Sequence, residues 1–297
     1  MNYYKKCMLC PRMCMVNRYQ EKGFCKATNE IKVALAKPFF YEEPPISGTN
    51  GSGTIFFSGC NLKCCFCQNM EISTFNKGKT ITITKLAEIM INLQKQKVHN
   101  INLVTPTIYL PSIIKAIKKA KKRGLVIPIV YNSSGYENVE AIKLLNGLID
   151  VYLPDFKYYN DQYAIKYSKA NNYLENVKLV IDEMVKQTGP CVFGNNGIIK
   201  KGTIVRHLML PTLKEDTKKI LNYLYQTYHN NIYISIMNQY TPNKYVEFKE
   251  LQNPLNENDY DEIIDYALNL GINNAFCQVG GTVSESFVPE FNFDGTK

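Results

Sequence analysis

The sequence predicts an α/β fold built on a parallel sheet, and three observations carry that reading. From about residue 54 onward, short β-rich runs alternate with amphipathic stretches, the order expected of strands joined by crossover helices. The helical stretches are bounded by residues that start and stop helices. The chain length of 297 residues suits one large domain, or a large domain with a small appendage.

The strand runs are Thr54–Phe57, Ile101–Val104, Ile127–Tyr131, Val151–Asp155, Ile204–Leu210 and Ile232–Met237. Between the first two lies TKLAEIMINLQKQ, read as a helix capped by Thr84. PSIIKAIKKAKKRG follows the second, with Pro111 in the first turn, where a missing N–H goes unnoticed, and Gly124 at the end. NNYLENVKLVIDEMVKQTG begins after an Asn pair and stops at Gly189. Periodicity does not separate a partial (β/α)6 barrel from an open doubly wound sheet. In either architecture the carboxyl ends of the strands carry the site.

Residues 1–45 differ from the rest. They hold Cys7, Cys10, Cys14 and Cys25, show little periodicity and finish in the Pro/Gly-rich KPFFYEEPPISGTNGSG. This reads as a small Cys-rich metal-binding module and linker, 1–45, ahead of a core domain, 46–297. No apolar run is long enough to span a membrane, and the N-terminus lacks the apolar segment of a signal peptide, so a cytoplasmic protein without a membrane partner is expected. The net charge of +9 is compatible with an anionic partner. Its densest run, KKAKKRG, ends a predicted helix, where cations complement the dipole and stay solvated. No aromatic-basic motif supports nucleic acid as that partner.

Ten cysteines in a reducing compartment point to metal rather than disulfides. In FFSGCNLKCCFCQN, Cys60, Cys64 and Cys67 follow the first strand with spacing C-x3-C-x2-C. A tetrahedral zinc site wants four ligands, whereas a cubane held by three thiolates leaves one iron open. Gly59 and Asn61 form turns, so the loop can curl until its sulfurs converge. Cys65 breaks the register and reads as a small packed residue.

This spacing, with Phe66 just before the third cysteine, resembles the signature of the radical S-adenosylmethionine (SAM) superfamily. CMLCPRMCMVNR, EEPPISGTNGSGTIFFSGCNLKCCFCQN, TPTIYLP, IPIVYNSSGYE, VYLPDFKY, VRHLMLP and MNQYTP further resemble the pyruvate formate-lyase-activating-enzyme-like proteins of the PflX type. The resemblance implies a partial (β/α)6 radical SAM barrel and a site-differentiated 4Fe-4S cluster on Cys60, Cys64 and Cys67. It implies an oxidoreductase that cleaves SAM reductively to a 5′-deoxyadenosyl radical, which takes hydrogen from a substrate carbon, foremost a glycine of a partner protein. It also implies a low-potential electron donor of flavodoxin or ferredoxin type. Modification of a small molecule, peptide or RNA is the alternative substrate reading. A non-enzymatic electron carrier or zinc scaffold is the alternative of another class, though a carrier wants closed clusters.

For SAM the resemblance nominates Asp155 and Lys157, matching the D-x-K of the activating enzymes, with Lys157 toward the SAM carboxylate. Phe66 and Gln68 flank Cys67 and are assigned to adenine. Thr105 and Thr107 stand where many family members carry Gly-Gly-Glu. Asn132 and Ser133 stand in place of D-T-N-G. Gln239, or Asn238, stands for a late-strand histidine. Arg206 and His207 point to opposite faces of a strand, so Arg206 is chosen to face the site and His207 to pack in the core. Simple packing for Phe66, a surface ion pair for Asp155–Lys157, and turn formation for Asn132–Ser133 remain the plain alternatives.

Cys7, Cys10, Cys14 and Cys25 give C-x2-C-x3-C-x10-C, a count that satisfies Zn2+ or a second 4Fe-4S cluster. So small a module buries little apolar area, and metal is expected to supply much of its folding free energy.

Overall fold

The computed structural model describes residues 3–278 and 288–296. The chain runs Ile31–Phe39 (β1), Pro44–Ser47 (α1), Ser52–Phe57 (β2), Met70–Ser73 (α2), Lys79–Ile81 (β3), Ile83–Lys95 (α3), Ile101–Val104 (β4), Leu110–Lys122 (α4), Ile129–Ser133 (β5) and Val139–Lys143 (α5). It continues through Val151–Pro154 (β6), Asp161–Ser168 (α6), Tyr173–Thr188 (α7), Val192–Phe193 (β7), Ile199–Leu208 (β8), Lys214–Tyr228 (α8), Tyr233–Met237 (β9), Glu257–Leu270 (α9) and Ala275–Cys277 (β10). The strands order as β10-β9-β8-β6-β5-β4-β2-β1-β3, with β7 paired to β8. Along that order every pairing from β2 to β10 is parallel, β1 runs antiparallel to both β2 and β3 at one edge, and β7 pairs antiparallel with β8.

The alternating strand residues sort cleanly onto two faces. Ile101, Leu103, Ile129, Tyr131 and Tyr152 point outward and share a core with Leu86, Met90, Ile113 and Ile117 of the crossover helices. Farther along, Val205, Ile234 and Ile236 pack on Ile220, Leu224 and Ile263 of α8 and α9. Inward-pointing Val130, Val151, Leu153 and Ile204 form a separate buried cluster with Ile46 of α1. The crossover helices thus cover one face only, which is the partial-barrel alternative, and Ile46 plugs the bottom of the lumen. Asn100 fixes that plug by donating to the Ile46 carbonyl (2.7 Å) and accepting from Ser52 (2.6 Å).

All the expected strands occur, with shifted ends. β5 starts at Ile129, beyond Pro128, whose nitrogen has no proton for the ladder, while β6 ends at Pro154 and is continued by a single parallel bridge from Asp155 to Arg206. β8 begins earlier than expected, because Ile199 and Lys201 pair with β7. The cap of α3 is Thr82, which accepts from the Lys85 N–H (3.1 Å), and not Thr84, which lies inside the first turn. Gly124 and Gly189 end their helices with positive φ.

The N-terminal segment lacks a core of its own. Tyr4, Leu9, Ala27 and Ile31 belong to the main apolar cluster, and β1, which the sequence reading placed in the module, pairs with β2 along Val33–Phe39. The Tyr4 hydroxyl meets Ser112 of α4 (2.9 Å), and the Asn138 N–H donates to Leu9 (3.3 Å). Packing on the barrel therefore shares with any metal the task of folding this segment.

Candidate active site

The cysteine loop leaves the sheet where β2 ends. Gly59 turns it with φ of 91°, and a side chain there would strike the Cys25 carbonyl at 2.8 Å. Asn61 locks the turn: its side-chain amide donates to the Tyr136 carbonyl, and its own carbonyl accepts from Arg12 Nε (2.9 Å). The sulfurs meet donors rather than bases. The Leu62 N–H faces Cys60 (3.4 Å), the Ser168 hydroxyl donates to Cys64 (2.9 Å), and Ser73 Oγ lies 3.2 Å from Cys67. Burial pushes the Cys60 thiol up to about 12 and Cys64 up to about 11. Such thiols ionise only when a strong positive partner arrives, and iron is one. Three clustered soft donors on one loop, solvated by N–H and O–H groups, fit a 4Fe-4S cluster with one open iron. Among the described residues no three His, Cys, Asp or Glu side chains converge as the ligands of a single metal ion do.

A buried polar network fills the top of the lumen next to this loop. Asp155 takes Lys157 Nζ on one oxygen (2.7 Å) and Arg206 Nε on the other (2.9 Å). Arg206 also donates to Asn132 Oδ1 (2.6 Å) and to Glu42 (3.3 Å). Glu42 in turn accepts from Asn102 (2.9 Å) and Asn132 (3.4 Å). These side chains come from β4, β5, the end of β6, β8 and the β1–α1 connection, so one carboxylate ties the curled sheet together. Burial raises Glu42 to about 7, with Arg206 pulling the other way. Asp155 is held below the usual carboxylate range because Arg206 and then Lys157 outweigh its burial. Lys157 is close enough to Cys64 for its charge to favour the thiolate.

The other expected site residues divide. Phe66 is only 7% exposed and meets Tyr240 edge-on at 6.0 Å, so in this structure it packs. Gln68 is exposed and reaches the Gln239 carbonyl (3.4 Å). The Gln239 side chain accepts from Gln278 (2.9 Å). Thr105, at the end of β4, sits in the left-handed region (φ 58°), a costly conformation for a β-branched residue. Asn132 and Ser133, expected at the site together, separate because neighbours on a strand face opposite ways. Asn132 joins the lumen network, while Ser133 accepts from the Gly135 N–H (3.3 Å). Thr107 also points away, donating to Glu137 (2.8 Å) on the helix side. His207 is a core residue bonded to the Phe156 carbonyl (2.7 Å) and Thr217 (2.9 Å), and burial drops it to about 4.

Two carboxylates escaped the sequence reading. Glu42 lies in what reads as a Pro-rich linker, 164 positions from Arg206. Glu137 is buried, raised to about 7 by desolvation, and has one oxygen without a partner. The only signal for Glu42 is a pair of acids directly ahead of Pro44–Pro45, where a solvated linker has no need of them. Beside Cys67 a cleft of about 600 Å³ opens between Gln68, Met70, Thr241, Asn243 and Tyr245. Asn243 pins its wall by donating to the carbonyls of Cys65 (3.4 Å) and Cys67 (3.3 Å).

A thiolate loop at the end of the first parallel strand, beside a polar lumen, defines a cofactor-dependent α/β enzyme, and comparison gives the class. Residues 54–224 match the radical SAM superfamily, and the chain belongs to it. It is 33% identical over 281 residues to the uncharacterized protein MJ0674 of Methanocaldococcus jannaschii, covering 90% of this chain and 75% of that one. It is 27% identical over 138 residues to the putative glycyl-radical enzyme activating enzyme MJ1227 of the same organism, covering 46% and 56%. In fold it is similar to Streptococcus suis SuiB bound to S-adenosylmethionine (TM-score 0.51, 13% identity, 80% of this chain and 51% of that one). It is similar also to HydG, a maturase of the [FeFe]-hydrogenase (TM-score 0.51, 13% identity, 77% and 52%). The chain spans about half the length of these solved structures. Membership makes it an enzyme that uses a 4Fe-4S cluster and SAM. Among the described residues no helix is long and apolar enough to cross a membrane.

Proposed function

We propose that Cys60, Cys64 and Cys67 hold the 4Fe-4S cluster, that Lys157 and Arg206 face SAM, and that the hydrogen is taken from a glycine of a partner protein. The bound cluster and SAM supply one-electron cleavage to methionine and a 5′-deoxyadenosyl radical; the chain binds, orients and excludes water. The observation that carries the reading is the placement of the thiolate triad beside the Asp155–Lys157–Arg206 network, two features far apart in sequence.

Asp155 holds Lys157 on one oxygen and Arg206 on the other, so both cations stand pre-oriented. Lys157 keeps N–H donors beyond the one on Asp155, enough to receive the SAM carboxylate. Asn102 and Asn132 brace Glu42, which helps hold Arg206 in place within the lumen. Phe66 and Tyr240 pack together in the apolar cluster against which Cys60 and Cys64 lie. The Cys67 cleft is open enough for a backbone loop to enter. A partner glycine is favoured by the similarity to the putative activating enzyme MJ1227 and by the PflX-type motifs.

The reading is tested by giving reduced, reconstituted protein SAM together with a candidate glycyl-radical partner deuterated at glycine. Deuterium in 5′-deoxyadenosine and a protein-radical EPR doublet are expected. Deoxyadenosine formed without deuterium transfer, while a peptide or small molecule does transfer its hydrogen, overturns the partner-glycine assignment.

A further inference from the structure

Glu137 takes no part in the steps proposed above, yet it is completely buried and tied to the loops that build the site. The groups that act on it are Thr107, Ser133 and Asp155, and none of these is a cation. One of its oxygens accepts from the Thr107 hydroxyl (2.8 Å), and the other has no partner among the described residues. A carboxyl buried without a counter-charge is costly, and such groups gather at functional sites.

Thr107 opens a short turn, Thr107–Tyr109, that packs on the cysteine loop. The Tyr109 hydroxyl donates to the carbonyl of Ser58, two residues before Cys60 (3.0 Å). Ile108 stands where a side chain on Gly59 would collide with it, at 2.9 Å. The Tyr131 hydroxyl of β5 donates to the Thr107 oxygen (3.3 Å), so Thr107 is held from two sides. On the far flank of Glu137, Tyr136 offers its carbonyl to Asn61 of the cysteine loop, and the Asn138 side chain donates to the Met8 carbonyl (3.2 Å).

What this anchoring restrains is Thr105. Phe56, Val104 and Asn132 stand in register across β2, β4 and β5, so Thr105 follows at the strand ends, between the cysteine loop and the Asn132–Arg206 side of the lumen. Its N–H extends the ladder by donating to the Asn132 carbonyl (2.9 Å). Its φ of 58° is strained, because the residue is β-branched and precedes Pro106, and both features disfavour a left-handed backbone. Such a residue persists only where its surroundings over-determine it, and residues of this kind cluster at ligand sites. The Thr107–Glu137 hydrogen bond, two residues further on, supplies the hold.

We propose that Glu137 is a positioning residue: through Thr107 it keeps the Thr105 peptide in its left-handed turn, where that peptide forms part of the seat for SAM. The proposal rests on the SAM chemistry proposed above for the triad and the lumen network. Glu137 itself touches neither SAM nor the cluster and exchanges no proton with them. What Thr107 needs from it is a carbonyl oxygen at a fixed place.

Two measurements on full-length variants test this role. In the protein without SAM, hydrogen exchange at residues 105–109 should rise about tenfold in Glu137→Leu. It should stay near the wild-type rate in Glu137→Gln, which offers Thr107 the same oxygen. In the iron-loaded protein, SAM binding read by equilibrium dialysis should weaken about tenfold in Glu137→Leu at unchanged iron, and Glu137→Gln should keep it. Thr105→Gly is the decisive control, because glycine enters the left-handed region without strain. Added to Glu137→Leu, it should restore most of the lost affinity for SAM. A general packing defect at Glu137 has no reason to be mended at Thr105.

Unchanged exchange in Glu137→Leu overturns the positioning role, and so does a loss of SAM affinity that Thr105→Gly leaves in place. Should Glu137→Leu not fold, Thr107→Val removes the same hydrogen bond and is read in the same two ways. A wild-type protein that takes up no SAM sinks the radical SAM reading instead, and the exchange rates still decide whether Glu137 holds the turn.

Discussion

The triad and the N-terminal quartet of cysteines are built from the same residue, yet they differ in access and in charge. The triad has three thiols, all only partly buried, beside a cleft and within range of Lys157. The quartet has four, three of them buried, shut in by Arg12 and Arg18. One missing cysteine and one open wall distinguish the loop proposed to hold the catalytic cluster from the quartet, the cysteines themselves being alike.

The sharpest break comes at the triad. Cys60→Ala should abolish SAM cleavage and remove about four irons per chain, measured by iron analysis and by chromatography of deoxyadenosine. Retention of cleavage would place the open iron elsewhere.

The lumen network comes next. Arg206→Met leaves Asp155 and Glu42 facing each other without the cation between them. Removing one partner of a buried ion pair costs about 3–5 kcal/mol, so a large drop in the anaerobic melting temperature is expected. A drop no larger than that of a surface arginine such as Arg123 would show the network to be slack.

A smaller effect belongs to Glu137. The folded protein keeps a proton on it up to about pH 7, whereas the unfolded chain releases that proton near the ordinary value of 4.5. Between those values the folded state binds more protons, so stability contributed by this group falls as pH rises and is lowest above 7. Glu137→Gln should flatten that part of the pH dependence and stabilise the protein at pH 8, as read by thermal unfolding. Unaltered slopes would mean that Glu137 is ionised in place.

Much of this organisation was legible in the sequence, for identifiable reasons. The parallel strands were found because apolar runs punctuated by helix caps repeat along the chain. The triad could be proposed from sequence because its spacing is local. β1 was lost because IKVALAKPF sits beside the cysteines and contains Pro38, and β3, β7 and β10 are too short to leave a pattern. Glu42 was lost because only folding brings a linker residue to Arg206. Asn132 and Ser133 were read as one unit although strand alternation separates them, the rule that correctly divided Arg206 from His207.

The mildest substitution sharpens the count of ligands. Cys65 turns its N–H to the Tyr167 carbonyl (2.9 Å) and stands outside the spacing of the triad. Cys65→Ser should keep iron, sulfide and the brown colour of wild type, and loss of the cluster would make Cys65 a ligand and close the site.

The open iron is the claim on which the contrast depends, and EPR tests it most directly. Reduced protein with a Cys7→Ala/Cys10→Ala quartet, leaving the triad alone, should change its spectrum when SAM is added, with hyperfine coupling from 15N in the SAM amine. A spectrum indifferent to SAM, with no such coupling, would contradict the account.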